Sequence, residues 1–146
     1  MVKAVLAILI FSVFGPVQPN PVSWTFYTKK LSEGDFELHM KAKIDKGWHI
    51  FALNNVAGPG PTNFNFRKHS GIRYEGSVAQ LTKPAVINDL AFKTEVLGFS
   101  GNAEFIQIIR RKDSTVTNID GTIRYMPCSG ANCLAPITDT FQVALK

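Results

Sequence analysis

Apolar and polar residues alternate most regularly between positions 36 and 44. One face would carry Phe36, Leu38, Met40, Ala42 and Ile44, and the other Glu37, His39, Lys41 and Lys43. A period of two predicts a half-buried antiparallel strand. The tripeptide Asp45-Lys46-Gly47 predicts a turn, and residues 48–53 predict a second strand that returns beside the first as a hairpin.

Shorter runs of apolar, β-branched and aromatic residues recur along the rest of the chain, separated by turn-forming residues. They predict further strands at 22–27, 62–67, 72–78, 92–96, 103–110, 117–126 and 140–145. We find no convincing helical periodicity beyond the first residues, and no repeat or linker that would divide the chain. Many short strands with turn signals about every 8 to 12 residues indicate one all-β domain, either a sandwich or a barrel.

The beginning of the chain has the composition of an export signal. Lys3 precedes an uncharged apolar run at 4–14, which Gly15 and several prolines end. Such a run has the length of a signal-peptide core and is too short to span a bilayer. We predict a signal peptide at residues 1–19 and a mature domain at 20–146, in the periplasm or otherwise exported. An uncleaved anchor or a buried apolar strand is the alternative, and no membrane span is expected in the mature chain.

Composition and charge limit the classes of function. The 146 residues are 45% hydrophobic and 18% charged, which is typical of a globular protein. Lys and Arg number 16 against 11 Asp and Glu, a net charge of +5, but the basic residues are scattered. The densest basic run, 110–112, is followed at once by Asp113. This pattern is typical of a solvated strand end, so no nucleic-acid partner is expected.

The two cysteines, Cys128 and Cys133, carry the candidate chemistry. Thiols of exported proteins normally oxidise, and an even count predicts one internal disulfide. The pair flanks a short connection between two strands predicted to be adjacent. In the chain-entropy model, closing so short a loop stabilises the fold by only about 2 kcal/mol, so the bond is able to open without unfolding the domain. The spacing leaves three interpretations open: a structural disulfide, thiol–disulfide exchange, or a metal site.

A metal site has the least support. The cysteines lack a second close pair of ligands in the sequence. His39, His49 and His69 are distant from them along the chain and are predicted to lie at the surface. A blue-copper site would need a His shortly after the Cys and then a Met, an order that this chain does not have. We therefore expect neither a metal nor a cofactor.

Several segments match one known family. The most specific are Tyr125-Met126-Pro127-Cys128 and Cys133-Leu134-Ala135-Pro136, and the others are 20–24, 36–39, 45–51 and 60–62. Through them the chain resembles the N-terminal periplasmic domain of the thiol:disulfide interchange protein DsbD, especially single-domain relatives of that domain. The resemblance covers nearly all of the predicted mature chain.

The resemblance implies an immunoglobulin-like β-sandwich that relays reducing equivalents between thioredoxin-fold proteins of the cell envelope. It assigns the redox pair to Cys128 and Cys133, with Cys133 facing the partner and Cys128 resolving the mixed disulfide. It also implies a cap loop over the disulfide, matched here by residues 88–95. Phe92 is the candidate cap residue, with burial in the core as the alternative. Trp48 and Phe51 are expected in the core, with packing beside the site as the alternative.

Two departures from the family stand out. Four residues separate the cysteines, one fewer than we expect in the best-known members. The chain also carries no transmembrane segments and no Cys-x-x-Cys module, so an active domain would be a thiol:disulfide oxidoreductase module with separate partners. The alternative is an immunoglobulin-like protein- or glycan-binding module in which the disulfide is purely structural.

Overall fold

A computed structural model describes residues 19–146 of the chain. The predicted signal peptide, apart from Pro19, lies outside the described residues and stays a prediction. Within residues 19–146, no helix has the length and apolar character needed to cross a membrane.

The described residues form twelve β-strands and no helix. The strands are β1 (Val22–Lys30), β2 (Asp35–Ile44), β3 (Ile50–Phe51), β4 (Asn63–Phe66), β5 (Ile72–Gln80), β6 (Ala85–Asp89), β7 (Thr94–Phe99), β8 (Asn102–Arg111), β9 (Asn118–Tyr125), β10 (Cys128–Ser129), β11 (Asn132–Cys133) and β12 (Ile137–Ala144). The predicted all-β fold is therefore confirmed, as are the predicted strands that correspond to β1, β2, β4, β5, β8, β9 and β12.

The strands pair antiparallel in four groups. One sheet has the order β1-β2-β8-β5, a second has β12-β9-β4 and a third has β3-β7-β6. The short strands β10 and β11 form a separate hairpin, and Cys128 of β10 also makes an isolated antiparallel bridge to His49. The first two sheets form the layers of the sandwich. The third sheet lies beside the cysteine hairpin, since Phe51 of β3 and Val96 of β7 pack with Cys128.

The alternating pattern of β2 points its apolar face into the core, as predicted. Phe36, Leu38 and Met40 are all buried, and they belong to the same cluster as Ile119 and Ile123 of the opposing sheet. Aromatic pairs also join the layers: ring centroids are 5.7 Å apart for Trp24 and Phe64, 5.1 Å for Phe64 and Phe105, and 4.7 Å for Phe26 and Phe141. Burial of these aliphatic and aromatic side chains stabilises the sandwich.

The predicted hairpin between β2 and the following strand is wrong. Strand β2 is already paired on both edges, with β1 and with β8, so it offers no free edge to residues 48–53. After the turn at Gly47 the chain leaves the first sheet, and β3 pairs with β7 instead. The strand predicted at 92–96 begins only at Thr94, and β6 was not predicted at all.

The hydroxyl of Tyr125 on β9 bonds to neighbouring β12 and to the segment before β1, and it gives the fold a dependence on alkaline pH. Its hydroxyl donates to Asp139 Oδ2 at 2.7 Å and accepts from Asn20 Nδ2 at 2.6 Å. Burial, with a smaller contribution from Asp139, raises the pKa of Tyr125 to about 12. In the unfolded chain the phenol loses its proton near pH 10.

We expect the free energy of unfolding to fall between about pH 10 and pH 12, because the folded form keeps a proton that the unfolded form releases. Below pH 10 this contribution is fully present. Tyr125→Phe should lose about 1 kcal/mol at pH 8 and should lack this part of the alkaline decline. Urea unfolding of both proteins from pH 8 to pH 11.5 checks the prediction. If the free energy of unfolding fell equally with pH in both proteins, the prediction would be contradicted.

Candidate disulfide site

The cysteines form a disulfide across the smallest hairpin of the fold. Cys128 on β10 pairs in register with Cys133 on β11, and the sulfurs are bonded at 2.00 Å. Gly130 has a φ of 56°, a left-handed value that suits glycine in the turn between the two strands. The hairpin lies between β9 and β12, which are neighbours in one sheet. The sequence predicted this placement, and the structure confirms it.

The two sulfurs have different surroundings. Cys128 is fully buried, with a relative exposure of 0%, whereas Cys133 is only partly buried. Cys128 packs in a small apolar cluster with Phe51 and Val96, which is separate from the main core, and Met126 and Cys133 lie at its margin. Trp48 packs against the main core instead. The disulfide therefore has an inner sulfur and an outer one.

The backbone of the inner cysteine is hydrogen-bonded to the backbone of a histidine. The His49 N–H donates to the Cys128 carbonyl at 2.9 Å, and the Cys128 N–H donates to the His49 carbonyl at 3.0 Å. The His49 side chain is buried, and its Nε2 lies 2.9 Å from Asp89 Oδ2, where Asp89 itself is 0% exposed. The prediction that the histidines lie at the surface is wrong for His49, and also for His39, which is buried between Glu37 and Glu104.

The side chains of His49, Asp89 and Cys128 converge: a ring nitrogen, a carboxylate oxygen and the Cys128 Sγ all lie within 4.8 Å of one another. The nitrogen and the carboxylate already bond to each other, and the sulfur is bonded to Cys133. We therefore interpret the cluster as a hydrogen-bonded group beside the disulfide.

Asp89 also holds the loop that contains Phe92. Its Oδ1 accepts N–H bonds from Ala91 at 2.8 Å and from Phe92 at 2.9 Å. Lys93, with a φ of 53°, then reverses the chain into β7. One carboxylate thus connects the loop to His49 and, through His49, to the inner cysteine.

The Phe92 ring lies against the apolar cluster of the disulfide. It meets Phe51 edge to face, with centroids 6.2 Å apart, and is 37% exposed, so the alternative of burial in the core is not what the structure has. Gly58 approaches the ring from the other side: a Cβ atom there would lie 3.3 Å from Phe92 Cγ. The φ of 67° at Gly58 also favours glycine.

Exposed apolar residues adjoin the same cluster. Val56 and Val86 are exposed, and with Ala57, Val96 and Leu97 they line a shallow depression between the 55–57 loop and the β6–β7 hairpin. Two of these residues, Ala57 and Val96, also pack against Cys128 and its neighbours. The apolar surface is therefore continuous with the surroundings of the disulfide.

Sequence reasoning missed the His49–Asp89 pair. The dipeptide Asn88-Asp89 is a turn signal. From this signal, a role for Asp89 in holding the following loop could have been predicted. No local pattern links positions 49 and 89, because their contact depends on β3 and β6 both pairing with β7.

Together, the fold and the site define an antiparallel β-sandwich with a disulfide hairpin near its C-terminal strand. The model of the family "Thiol:disulfide interchange protein DsbD, N-terminal" matches residues 17–145. The chain therefore belongs to this family, and the resemblance drawn from the sequence is confirmed. The immunoglobulin-like sandwich of the family is likewise the fold of this chain.

Solved structures with the same fold include three domains of this kind. The N-terminal periplasmic domain of ScsB from Proteus mirabilis has a TM-score of 0.61 and 16% identity, over 87% of this chain and 47% of that chain. The reduced N-terminal domain of DsbD from Neisseria meningitidis has a TM-score of 0.51 and 11% identity, over 73% and 75%.

The third structure is the complex between the DsbD and PilB N-terminal domains from Neisseria meningitidis, with a TM-score of 0.51 and 9% identity over 83% and 80%. The chain spans about half of the ScsB chain that it matches. A search of curated proteins found no match.

Proposed function

We propose that residues 20–146 act in the periplasm as a thiol–disulfide exchange domain that relays reducing equivalents between thioredoxin-fold proteins. The disulfide between Cys128 and Cys133 is the carrier in this proposal. Family membership supports interchange chemistry in general, and the site supports this particular route.

The observation that carries the proposal is the unequal burial of the two sulfurs. Exchange requires that a visiting thiolate reach one sulfur while the other leaves within the protein. Cys133 is partly exposed and Cys128 is fully buried. We therefore assign the partner-facing role to Cys133 and the resolving role to Cys128.

The electrons balance in two steps. A thiolate of a reduced partner attacks Cys133 Sγ, so a bond between the partner and Cys133 forms, and the electron pair of the broken disulfide goes to Cys128 Sγ. The partner's second thiolate then attacks the partner's first sulfur in the mixed disulfide. The partner's internal disulfide forms, and Cys133 is released as a thiolate. The partner is oxidised by two electrons, and the domain is reduced. The reverse sequence passes the electrons to an oxidised acceptor.

The fold tolerates an open disulfide. The bond closes a loop of only a few residues, and its loss costs about 2 kcal/mol in the chain-entropy model. The main core of the sandwich is a separate cluster from the one that contains Cys128. Reduction therefore leaves the two sheets in place.

The surface beside the disulfide suits a protein partner. The exposed Val56 and Val86 lie next to the cluster of Cys128, which favours docking at the site over a binding surface elsewhere on the domain. One structural neighbour is a complex of a DsbD N-terminal domain with a PilB N-terminal domain. Another neighbour is described as periplasmic, in keeping with the predicted export of this chain.

Phe92 serves as the gate in this proposal. Its ring covers Phe51, a direct neighbour of Cys128, from a loop that is held at its start by Asp89. Movement of the loop would uncover the apolar cluster that contains Cys128 when a partner docks.

A trapping experiment tests the function. Reduced Cys128→Ser is mixed with a thioredoxin Cys-x-x-Ser variant whose single active-site cysteine carries a thionitrobenzoate disulfide. We expect the Cys133 thiolate to displace thionitrobenzoate and form an intermolecular disulfide that cannot be resolved, because neither protein keeps a second cysteine at the site. Intact mass before and after dithiothreitol identifies the complex.

Cys133→Ser is the matched control, because it lacks the same disulfide but keeps only the buried thiol. It should form little of the complex. Equal amounts of adduct from both variants, or none from either, would overturn the proposed exchange function.

A further inference from the structure

The exchange route described above leaves one electrostatic problem at the inner sulfur. When the disulfide opens, the negative charge falls on Cys128 Sγ, which is 0% exposed and packed against Phe51 and Val96. A buried charge without a partner is costly, so a rapid opening requires a proton or a positive charge close to that atom. The reverse step requires that the same atom lose a proton again before it attacks.

A buried pair that the exchange route does not use lies at this position. A ring nitrogen of His49 and a carboxylate oxygen of Asp89 lie within 4.8 Å of Cys128 Sγ. The backbone bonds between His49 and Cys128 fix the distance between the two residues. Once the disulfide breaks, the sulfur is free to rotate about the Cα–Cβ bond, and catalytic hydrogen bonds that are long in a resting site commonly shorten in this way.

We propose that His49 is the proton donor and acceptor for Cys128 during exchange, and that Asp89 is the residue that positions it. This inference rests on the proposed exchange function. On opening, the protonated imidazole gives its proton to the Cys128 sulfur as the bond to Cys133 breaks, and the neutral ring stays bonded to Asp89. On closing, the ring takes the proton back, and the Cys128 thiolate attacks Cys133 Sγ in the mixed disulfide, so that the bond between Cys128 and Cys133 forms and the partner leaves as a thiolate.

The contacts of Asp89 support its positioning role. Oδ2 bonds to His49 Nε2, while Oδ1 is occupied by the N–H groups of Ala91 and Phe92, so the carboxylate cannot turn away from the ring. A carboxylate in this position holds the imidazole in one tautomer and one orientation. The next ionisable residues of the loop, Lys93 and Glu95, are exposed to solvent, and β3 and β7 contribute Phe51 and Val96.

The test uses a small probe and needs no protein partner. The reduced domain is mixed with excess 5,5′-dithiobis(2-nitrobenzoate), and the released thionitrobenzoate is followed by absorbance. The first equivalent reports the attack of Cys133 on the probe. The second equivalent reports the attack of Cys128 on the mixed disulfide, which is the step that needs the proton acceptor.

For His49→Gln we expect the second step to slow by about 100-fold at pH 7, near the lower end of what a positioned acid or base contributes. The rate of the second step in this variant should then rise with pH, because hydroxide replaces the missing proton acceptor. The difference in rate between the variant and the wild type should therefore narrow. Asp89→Asn should slow the same step less, and its deficit should likewise narrow at high pH. His69→Gln, which alters an exposed histidine, is the control and should leave both steps unchanged.

A deficit in His49→Gln that stays constant from pH 6 to pH 10 would assign the residue a structural role only and overturn the proposal, as would an unchanged rate at pH 7. If His49→Gln does not fold, the profile of Asp89→Asn decides in the same way. The two proposals can fail separately. If the partner-trapping experiment fails but the pH profiles are as expected, the exchange function is lost and the proton transfer between His49 and Cys128 stands.

Discussion

Cys133→Ser is expected to reduce electron transfer through the domain to the background rate. In the proposed route a partner reaches the outer sulfur, and the inner Cys128 is fully buried, so no other thiol replaces it. A hydroxyl forms no disulfide, and the two-step route cannot start. The measurement follows transfer from a reduced thioredoxin to an oxidised one, with alkylation and mass analysis of each protein at timed intervals.

Cys128→Ser separates this effect from a loss of stability. Both variants lose the same disulfide, so both should lose about 2 kcal/mol of unfolding free energy. Only Cys128→Ser keeps the outer thiol and accumulates a mixed disulfide. If Cys133→Ser retained a substantial part of the wild-type transfer rate, the assignment of Cys133 as the partner-facing sulfur would be wrong.

Phe92→Ala is expected to increase the rate at which a small thiol reduces the disulfide by about tenfold. An edge-to-face aromatic pair contributes roughly 0.5 to 1.5 kcal/mol beyond the burial of its surface, and about 1.4 kcal/mol corresponds to a factor of ten in population. Loss of the contact between Phe92 and Phe51 therefore raises the fraction of molecules with an open loop. Reduction by excess glutathione, sampled by rapid alkylation, measures the rate.

Leu90→Ala is the matched control for the gate. Leu90 lies in the same loop and is also apolar, but its side chain is mostly exposed. Its reduction rate should stay within about twofold of the wild type. Equal rates for Phe92→Ala and the wild type would show that the ring does not limit access to the sulfurs.

The alternating pattern of β2 illustrates what a local sequence pattern can predict. A period of two gives the strand and its buried face whatever strands lie beside it, and Phe36, Leu38 and Met40 are buried as predicted. The hairpin prediction failed because a turn signal after a strand does not reveal whether the edge of that strand is already occupied. Here β1 and β8 occupy both edges, and the chain had to pair elsewhere.

The candidate site divides in the same way. The disulfide was predictable because Cys128 and Cys133 are close in sequence and flank a turn. The burial of His49 and Asp89 was not predictable, because the residues are 40 positions apart and meet only through the third sheet. The roles of Phe92 and of the two cysteines remain predictions for the experiments described above.

The sequence by itself determined most of the longer strands, the disulfide and the family, since each depends on residues that are neighbours along the chain. Only the tertiary structure decided which sulfur is buried, which edges pair and what stands beside the inner cysteine. Those properties arise from contacts between distant segments, and such contacts depend on how the sheets pack rather than on any local pattern.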